Sequence, residues 1–441
     1  VVACAQARHQ SAAAVVAQHA GAERPFDVPR VAAAADADWQ RIGAVTTDLE
    51  PLGARTIAPR AGGVDSRQTV VAGRGRYHHR QSSKAIPLST PPTSVCILRL
   101  SALGDATHVV PMIRTLQRHR PELAITWIIG KAEAAMLKGL DGVEFIVFDK
   151  KAGWAGVQAL RAALRGRRFD ALLQMQLAFR ANALSTLVRA DRRIGFDAAR
   201  SKEGHGLVIN ERIAPGGHHV LDAFGQFAEA LGCPQERVEW RLPVPDEAHV
   251  WAAETLPGDA PTLLISPCSS HALRNWRAER YAAVASQALA RGWRVALCGG
   301  PSALERTTGD AILAAMPQRD AVLDLIGRDT FKRFLALCAR ASILLGPDSG
   351  PVHMANAMGC RVIALHACTD RDRSGPYSDR RWSPNRYAEA AERFLRKPAT
   401  SLPWGKRVEF EGVMDLITVD EVIERFEACA DDLQRFAPGT L

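Results

Sequence analysis

From Val95 onward the chain alternates short apolar runs with amphipathic stretches of helical period, and this rhythm fixes the class of fold. Five runs in the first half read as strands: VCILRL (95–100), AITWIIG (124–130), VEFIVF (143–148), ALLQMQ (171–176) and RRIGF (192–196). Helical segments such as VVPMIRTLQRH and WAGVQALRAALRG separate them. Strands joined through helices pair in parallel, because a tight antiparallel turn leaves no room for the crossover. A long amphipathic stretch, HHVLDAFGQFAEALG (218–232), leads through VPDE to a second set: TLLISP (262–267), WRVALCGG (293–300), AVLDLIG (321–327), SILLGPD (342–348) and RVIALH (361–366). The expected fold is α/β, two consecutive Rossmann-like halves with mostly parallel sheets. Such sheets bind ligands beyond the carboxyl ends of their strands, so the strand-to-helix turns are where chemistry is sought.

Length and composition are consistent with two cores. A chain of 441 residues that is 47% hydrophobic exceeds one ordinary core. Residues 1–93 sustain neither the helix nor the strand period, and the Pro-rich SSKAIPLSTPPTS (82–94) leads into the first strand, which predicts a poorly structured extension and linker. The remaining divisions expected are 94–245, 246–400 and a 401–441 segment. In that segment ITVDEVIERFEACADDLQRF (417–436) is a return helix capped by Thr418, packing back across the two halves. Lysine and arginine exceed aspartate and glutamate by 56 to 47, a net +9 that favours an anionic partner. Nine cysteines without a CxxC pair point to a reducing compartment, with neither a disulfide framework nor a zinc site. No run approaches the roughly 20 apolar residues needed to span a bilayer, so the protein is expected to be soluble or peripheral. No zinc-finger, helix-turn-helix or RNA-binding pattern is present, so nucleic acid is not an expected partner. The absence of GxGxxG and GxxxxGK[ST] at the turns argues against a dinucleotide dehydrogenase and a P-loop NTPase.

Four turns carry residues suited to chemistry. In RLSALGDATHVV, Asp105 stands at a helix start, and two readings are open: a cap worth on the order of 1 kcal/mol, or a carboxylate that takes a proton from an acceptor hydroxyl. In SPCSSHALRNWRAERYAAVA, Ser269 and Ser270 offer hydroxyls and amides and Arg274 a guanidinium, a set that fits a phosphate; a surface loop closed by Trp276 is the alternative. In LLGPDSGPVHMANAMGCRVIALHA, Asp348, Ser349 and Gly350 precede a helix with Pro351 near its start, an anion site built of amides. His353 lies on that helix's first turn, either bonding the loop or facing phosphate. In LCGGPSALERTTG, Glu305 either meets ribose hydroxyls or is simply solvated. Lys150, Lys151, Arg161, Arg165, Arg167 and Arg168 form a basic run, suited to an anionic acceptor or to a solvated helix face.

These turns, in this order, resemble glycosyltransferase family 9, the bacterial ADP-heptose:lipopolysaccharide heptosyltransferases. GPDSGPVHMANAMGCRVIALHACTDRDRSGPY is similar to the family's D[ST]GxxHxAxAxG pattern and the T-x-P-x-x-x-G-P-type segment after it. LRLSALGDATHVVPMI resembles its opening, and SPCSSHALRNWRAERYAAVA its donor-phosphate loop, over about residues 95–396. The resemblance implies a GT-B fold of two facing Rossmann-like domains and an inverting transfer from ADP-L-glycero-D-manno-heptose to the inner core of lipopolysaccharide. It implies Asp105 as general base, Ser269, Ser270, Arg274, Glu305, Asp348, Ser349, Gly350 and His353 on the donor, and no metal or cofactor. Lys150, Lys151 and Arg168 are the acceptor-side candidates. The resemblance further implies a cytoplasmic monomer in peripheral contact with the inner membrane. Arg274 stands where the family usually carries Lys, and the Asp/Arg-rich TDRDRSGPY departs from the family's loop, which leaves the contacts near the sugar open. The rival readings are a non-catalytic nucleotide-sugar-binding protein, and a transferase of the same fold with another donor or acceptor.

Overall fold

The structure, a computed structural model, describes residues 91–435. The expectations for residues 1–90 lie outside the described residues.

All ten expected strands are present. The first sheet contains β1 (Ser94–Leu98), β2 (Ala124–Gly130), β3 (Val143–Phe148), β4 (Phe169–Gln174), β5 (Ala190–Gly195) and a two-residue β6 (Glu211–Arg212) in the order β3-β2-β1-β4-β5-β6. The second contains β7 (Thr262–Ile265), β8 (Arg294–Leu297), β9 (Val322–Asp324), β10 (Ile343–Pro347) and β11 (Arg361–Leu365) in the order β11-β10-β7-β8-β9. Every pairing among them is parallel. The longer helices are α1 (Leu103–His119), α2 (Lys131–Leu137), α3 (Gly153–Ala163), α4 (Phe179–Ser185) and α5 (Val220–Ala230) in the first half. The second half holds α6 (Asp246–Thr255), α7 (Ala278–Ala290), α8 (Ala303–Ala314), α9 (Phe331–Arg340), α10 (Gly350–Ala357) and α11 (Val419–Arg435).

Burial explains the unbroken apolar runs. In AITWIIG every residue after the first is buried, as a strand covered on both faces requires. One apolar layer, from Leu98, Ile146 and Phe148 to Leu160 and Leu184, packs α3 and α4 on one face of the first sheet. The opposite face belongs to a larger cluster that continues without a break through α1 and α5 into α9, α10 and the second sheet. Beyond that sheet a third cluster carries Trp276, Tyr281, Phe426 and Ile417. Each fully buried large side chain in these layers contributes about 1.5–3 kcal/mol, so the middle cluster ties the two halves together.

The return helix is a correction. α11 packs on α7, β11 and the 380–382 turn, and its Phe426, Cys429 and Ala430 belong to the outer core of the second half. Its buried stripe is complementary to the second half alone. The segment that crosses is shorter: Trp404 donates Nε1–H to the His218 carbonyl at 3.0 Å and its ring lies 6.2 Å from that of Phe196.

Candidate active site

Both sheets reverse their strand order at one place, between β1 and β4 in the first and between β7 and β10 in the second. A crevice opens where neighbouring crossovers leave in opposite directions. Asp105 follows β1, the Ser269–Arg274 loop follows β7, and Asp348–Ser349 follows β10. These three turns therefore lie at the two switch points, whereas Glu305 follows β8 and Lys150 and Lys151 follow β3.

The turn before α1 is clamped by β4's exit. Gln176 accepts from the Leu100 amide at 2.7 Å and donates to the Ser101 hydroxyl at 3.3 Å. Arg99 donates to the Met175 carbonyl and forms an ion pair with Asp105. Asp105 occupies the third position of α1, where its Oδ2 accepts from the Ala102 amide at 3.3 Å. That bond is half of a capping box, so the cap reading holds as a companion role. Both contacts fall on Oδ2, and the side chain stays 29% exposed to the cleft. Burial would raise its pKa, but the Arg99 and Arg373 guanidiniums and the Ala102 amide together hold the carboxyl below its ordinary value.

The starts of α1 and α10 meet. A Cβ on Gly104 would come within 2.3 Å of the His353 ring, and one on Gly350 within 3.0 Å of Leu103 Cβ. Only glycine permits this approach, and it brings Asp105 to the rim of the Asp348–Ser349 turn. Pro351 sits in the first positions of α10, as expected. The buried Asp348 accepts from the Ser374 hydroxyl at 3.2 Å, and His353 Nε2 lies 3.4 Å from its Oδ1. Burial works against the charge on Asp348, yet His353, His366 and Thr369 hold its carboxyl far below the usual range. Ser349 Oγ at the helix N-cap is buried without a hydrogen-bond partner among the described residues.

The β7 loop is internally braced. Ser269 accepts from the His271 amide at 3.2 Å and donates to its carbonyl at 2.9 Å, and the Ser269 amide donates to Asn275 at 2.7 Å. Its hydroxyl shapes the loop, while Ser270 is exposed. Arg274 reaches the Asp348 carbonyl at 3.4 Å and pairs with Glu409 at 3.2 Å. Trp276 closes the loop by donating to the Ile417 carbonyl at 3.1 Å. Glu305 accepts from the Gly300 amide at 2.9 Å and the Ser302 hydroxyl at 2.7 Å, and Ser302 caps α8 in return. Its carboxylate is thus first a brace for the β8 turn.

The acceptor-side candidates divide. Lys150 and Lys151 are exposed on the turn after β3, at the same sheet edge as Asp105. Arg168 precedes β4, at the opposite edge, where it pairs with Asp191. A six-residue strand separates it from the cleft by roughly 20 Å, so its membership of this group is corrected. Arg167 lies there too, bound to Glu144.

Several cleft residues were not read from the sequence. His108, one turn beyond Asp105, is buried with neither ring nitrogen hydrogen-bonded among the described residues, and its ring lies 5.5 Å from that of His219 and 4.6 Å from that of His353. The spacing of His108 from Asp105 on α1 was the available signal. Desolvation, aided by the neighbouring imidazoles, pushes His108 well below its ordinary value, and burial pushes His219 down to about 4. Glu133, buried at the start of α2, has its carboxyl raised by burial. Arg373 follows β11 inside TDRDRSGPY, and composition alone did not distinguish it from its neighbours. Among the described residues no group of three or more His, Cys, Asp or Glu is arranged to hold a metal ion.

Comparison with known proteins agrees with this geometry. The family model for glycosyltransferase family 9 (heptosyltransferase) matches residues 157–401, which leaves Asp105 outside the matched segment. The lipopolysaccharide core heptosyltransferase OpsX of Haemophilus influenzae is 38% identical over 340 residues, 77% of this chain and 97% of the relative. Lipopolysaccharide heptosyltransferase 3 of Escherichia coli is 23% identical over 282 residues, 60% of this chain and 80% of the relative. Among solved structures, a glycosyl transferase family 9 protein from Veillonella parvula superposes with a TM-score of 0.62 at 19% identity, covering 77% of this chain and 97% of that one. The E. coli ADP-heptose lipopolysaccharide heptosyltransferase II gives 0.58 at 18% identity, covering 77% of this chain and 99% of that one. At such identities the structural likeness speaks for the fold, which is GT-B. With the family model and the OpsX relative together, the chain belongs to glycosyltransferase family 9, the heptosyltransferases.

Proposed function

We propose that this enzyme moves a heptose from ADP-L-glycero-D-manno-heptose to the inner core of lipopolysaccharide, with inversion at the anomeric carbon. The observation that carries the reading is the direct packing of the α1 start, bearing Asp105, on the α10 start, bearing Asp348 and Ser349. Donor and acceptor would then meet at a single seam. The acceptor hydroxyl gives its proton to Asp105, its oxygen bonds to the anomeric carbon, and the bond to the donor phosphate breaks with its electron pair leaving on ADP. The α10 amides, Ser349 and Arg274 hold the diphosphate, where preorganised donors stabilise developing charge without reorganisation. Glu305 meets the ribose from the β8 turn, and Lys150 and Lys151 attract the anionic core.

No helix among the described residues is long and apolar enough to cross a membrane. In the same proposal a lipid-linked acceptor is reached by peripheral contact at the cytoplasmic face of the inner membrane, and the enzyme acts as a monomer.

The test is a panel of ADP- and UDP-sugars with a lipid-core acceptor, following free nucleotide. ADP-heptose alone should support rapid release, and Asp105→Asn should cut transfer by about 10²–10⁴ while leaving ADP affinity nearly intact. An unchanged rate in the variant would remove Asp105 from the chemistry, and turnover of another sugar would replace the donor.

A further inference from the structure

The fold positions the Arg373 guanidinium in the cleft and, unlike Arg99 and Arg274, it has no ion pair among the described residues. Arg373 sits on the 369–377 loop after β11, and its neighbour Ser374 is the residue that bonds Asp348. That loop is docked on the first half by three polar contacts. His218 Nε2 lies 2.8 Å from Asp370 Oδ2, and the Tyr377 hydroxyl donates to Asp222 at 2.8 Å. His219 Nδ1 accepts from the Leu221 amide at 3.1 Å, so its proton is on Nε2, which donates to the Gly375 carbonyl at 2.9 Å. Arg373 is thus fixed between anchors at positions 370, 375 and 377.

The side chain itself stacks on the crossing segment, with its guanidinium carbon 4.2 Å from the centre of the Trp404 ring. Its Nε is buried without a hydrogen-bond partner among the described residues. Asp105 from one half and Asp348 from the other act on it through charge. Arg274, by contrast, already pairs with Glu409 at 3.2 Å. A half-buried cation whose Nε is shut away without a bonded partner costs free energy unless an anion arrives to meet it.

The geometry points to Arg373 as a donor-binding residue that contacts the β-phosphate of the ADP-sugar, at the seam between the anion-binding turn and Asp105. The inference rests on the ADP-sugar reading above. In transfer the anomeric carbon's bond to the β-phosphate oxygen breaks, the electron pair stays on that oxygen, and the fully protonated guanidinium balances the added charge. The acceptor proton goes to Asp105 as before.

The experiment compares ADP with AMP, which lacks the β-phosphate, by calorimetric titration of the full chain. Arg373→Gln should weaken ADP by about tenfold or more and leave AMP within about twofold, and Arg373→Lys should recover part of the loss. Unchanged ADP affinity, an equal loss for both nucleotides, or a change confined to the KM for acceptor would each overturn the assignment. Failure of the native protein to bind ADP would overturn the donor reading with it, which separates the two failures. Should the glutamine variant not fold, the native protein still decides: ADP, and not AMP, should change the fluorescence that Trp404→Phe removes, and equal responses would reject the contact.

Discussion

Asp105 takes part in two kinds of bond, and their balance sets when it can act. Its Oδ2 is tied to Arg99 and the Ala102 amide, and these contacts together with Arg373 outweigh the burial that opposes ionisation. A carboxyl held below its ordinary value of about 3.9 is ionised throughout the neutral range, so the acid limb of kcat/KM against pH should lie below that value. Arg99→Gln should move the limb upward while ADP affinity stays unchanged, as a pH-rate profile with parallel nucleotide titrations would show. A limb that did not move would mean that Arg99 only braces the turn. The position of Asp105 at a strand-to-helix junction was legible in GDATHVV, but its charged neighbours were not. Arg99 lies only a few positions upstream and Arg373 more than 250 positions away, and only the seam between the halves brings the second one near.

Among elements, the meeting of α1 and α10 matters most. Gly104→Ala would set a methyl group 2.3 Å from a His353 ring that is itself buried against Asp348. Overpacking of this kind costs about 1–3 kcal/mol, so the urea midpoint should fall and transfer should weaken with it. An unaltered midpoint would show that the two helix starts have room to part. The strands were legible because burial on both faces writes an apolar run. Their carboxyl ends were less so: SILLGPD continues past the last ladder residue at Pro347, because the chain remains buried at Asp348 after it leaves the sheet. The two-residue β6 has no apolar signature, and Arg168 was misplaced because sequence proximity to Lys150 says nothing about which end of a strand a residue occupies. The amphipathic stripe of α11 showed that it packs, but not which half it packs on.

For the whole molecule, the neutral histidines between the halves contribute to the response to acid. His219 is pushed down to about 4 and His108 is also lowered by burial, against about 6.5 in an unfolded chain. Between about pH 6.5 and 4 the unfolded chain binds protons that the folded chain does not, so stability falls as pH falls, by up to about 1.4 kcal/mol per unit for each such group. His205, pushed down to about 4, adds to this loss, whereas Asp329, raised by burial to about 7, opposes it, so the melting temperature should drop from pH 7 to 4.5 by less than the histidines alone would give. His108→Leu, which removes two unpartnered ring nitrogens, should flatten that slope without lowering the value at pH 7. A slope as steep in the variant as in the native protein would assign the acid response elsewhere.

The apolar cluster that runs unbroken from one sheet to the other also limits how the enzyme can breathe. Swinging the halves wide open would wet that layer at about 25 cal/mol for each Å² exposed, whereas sliding one helix layer over the other keeps it dry. Turnover would then proceed by small shear steps, with nucleotide leaving along the groove rather than through an opened jaw.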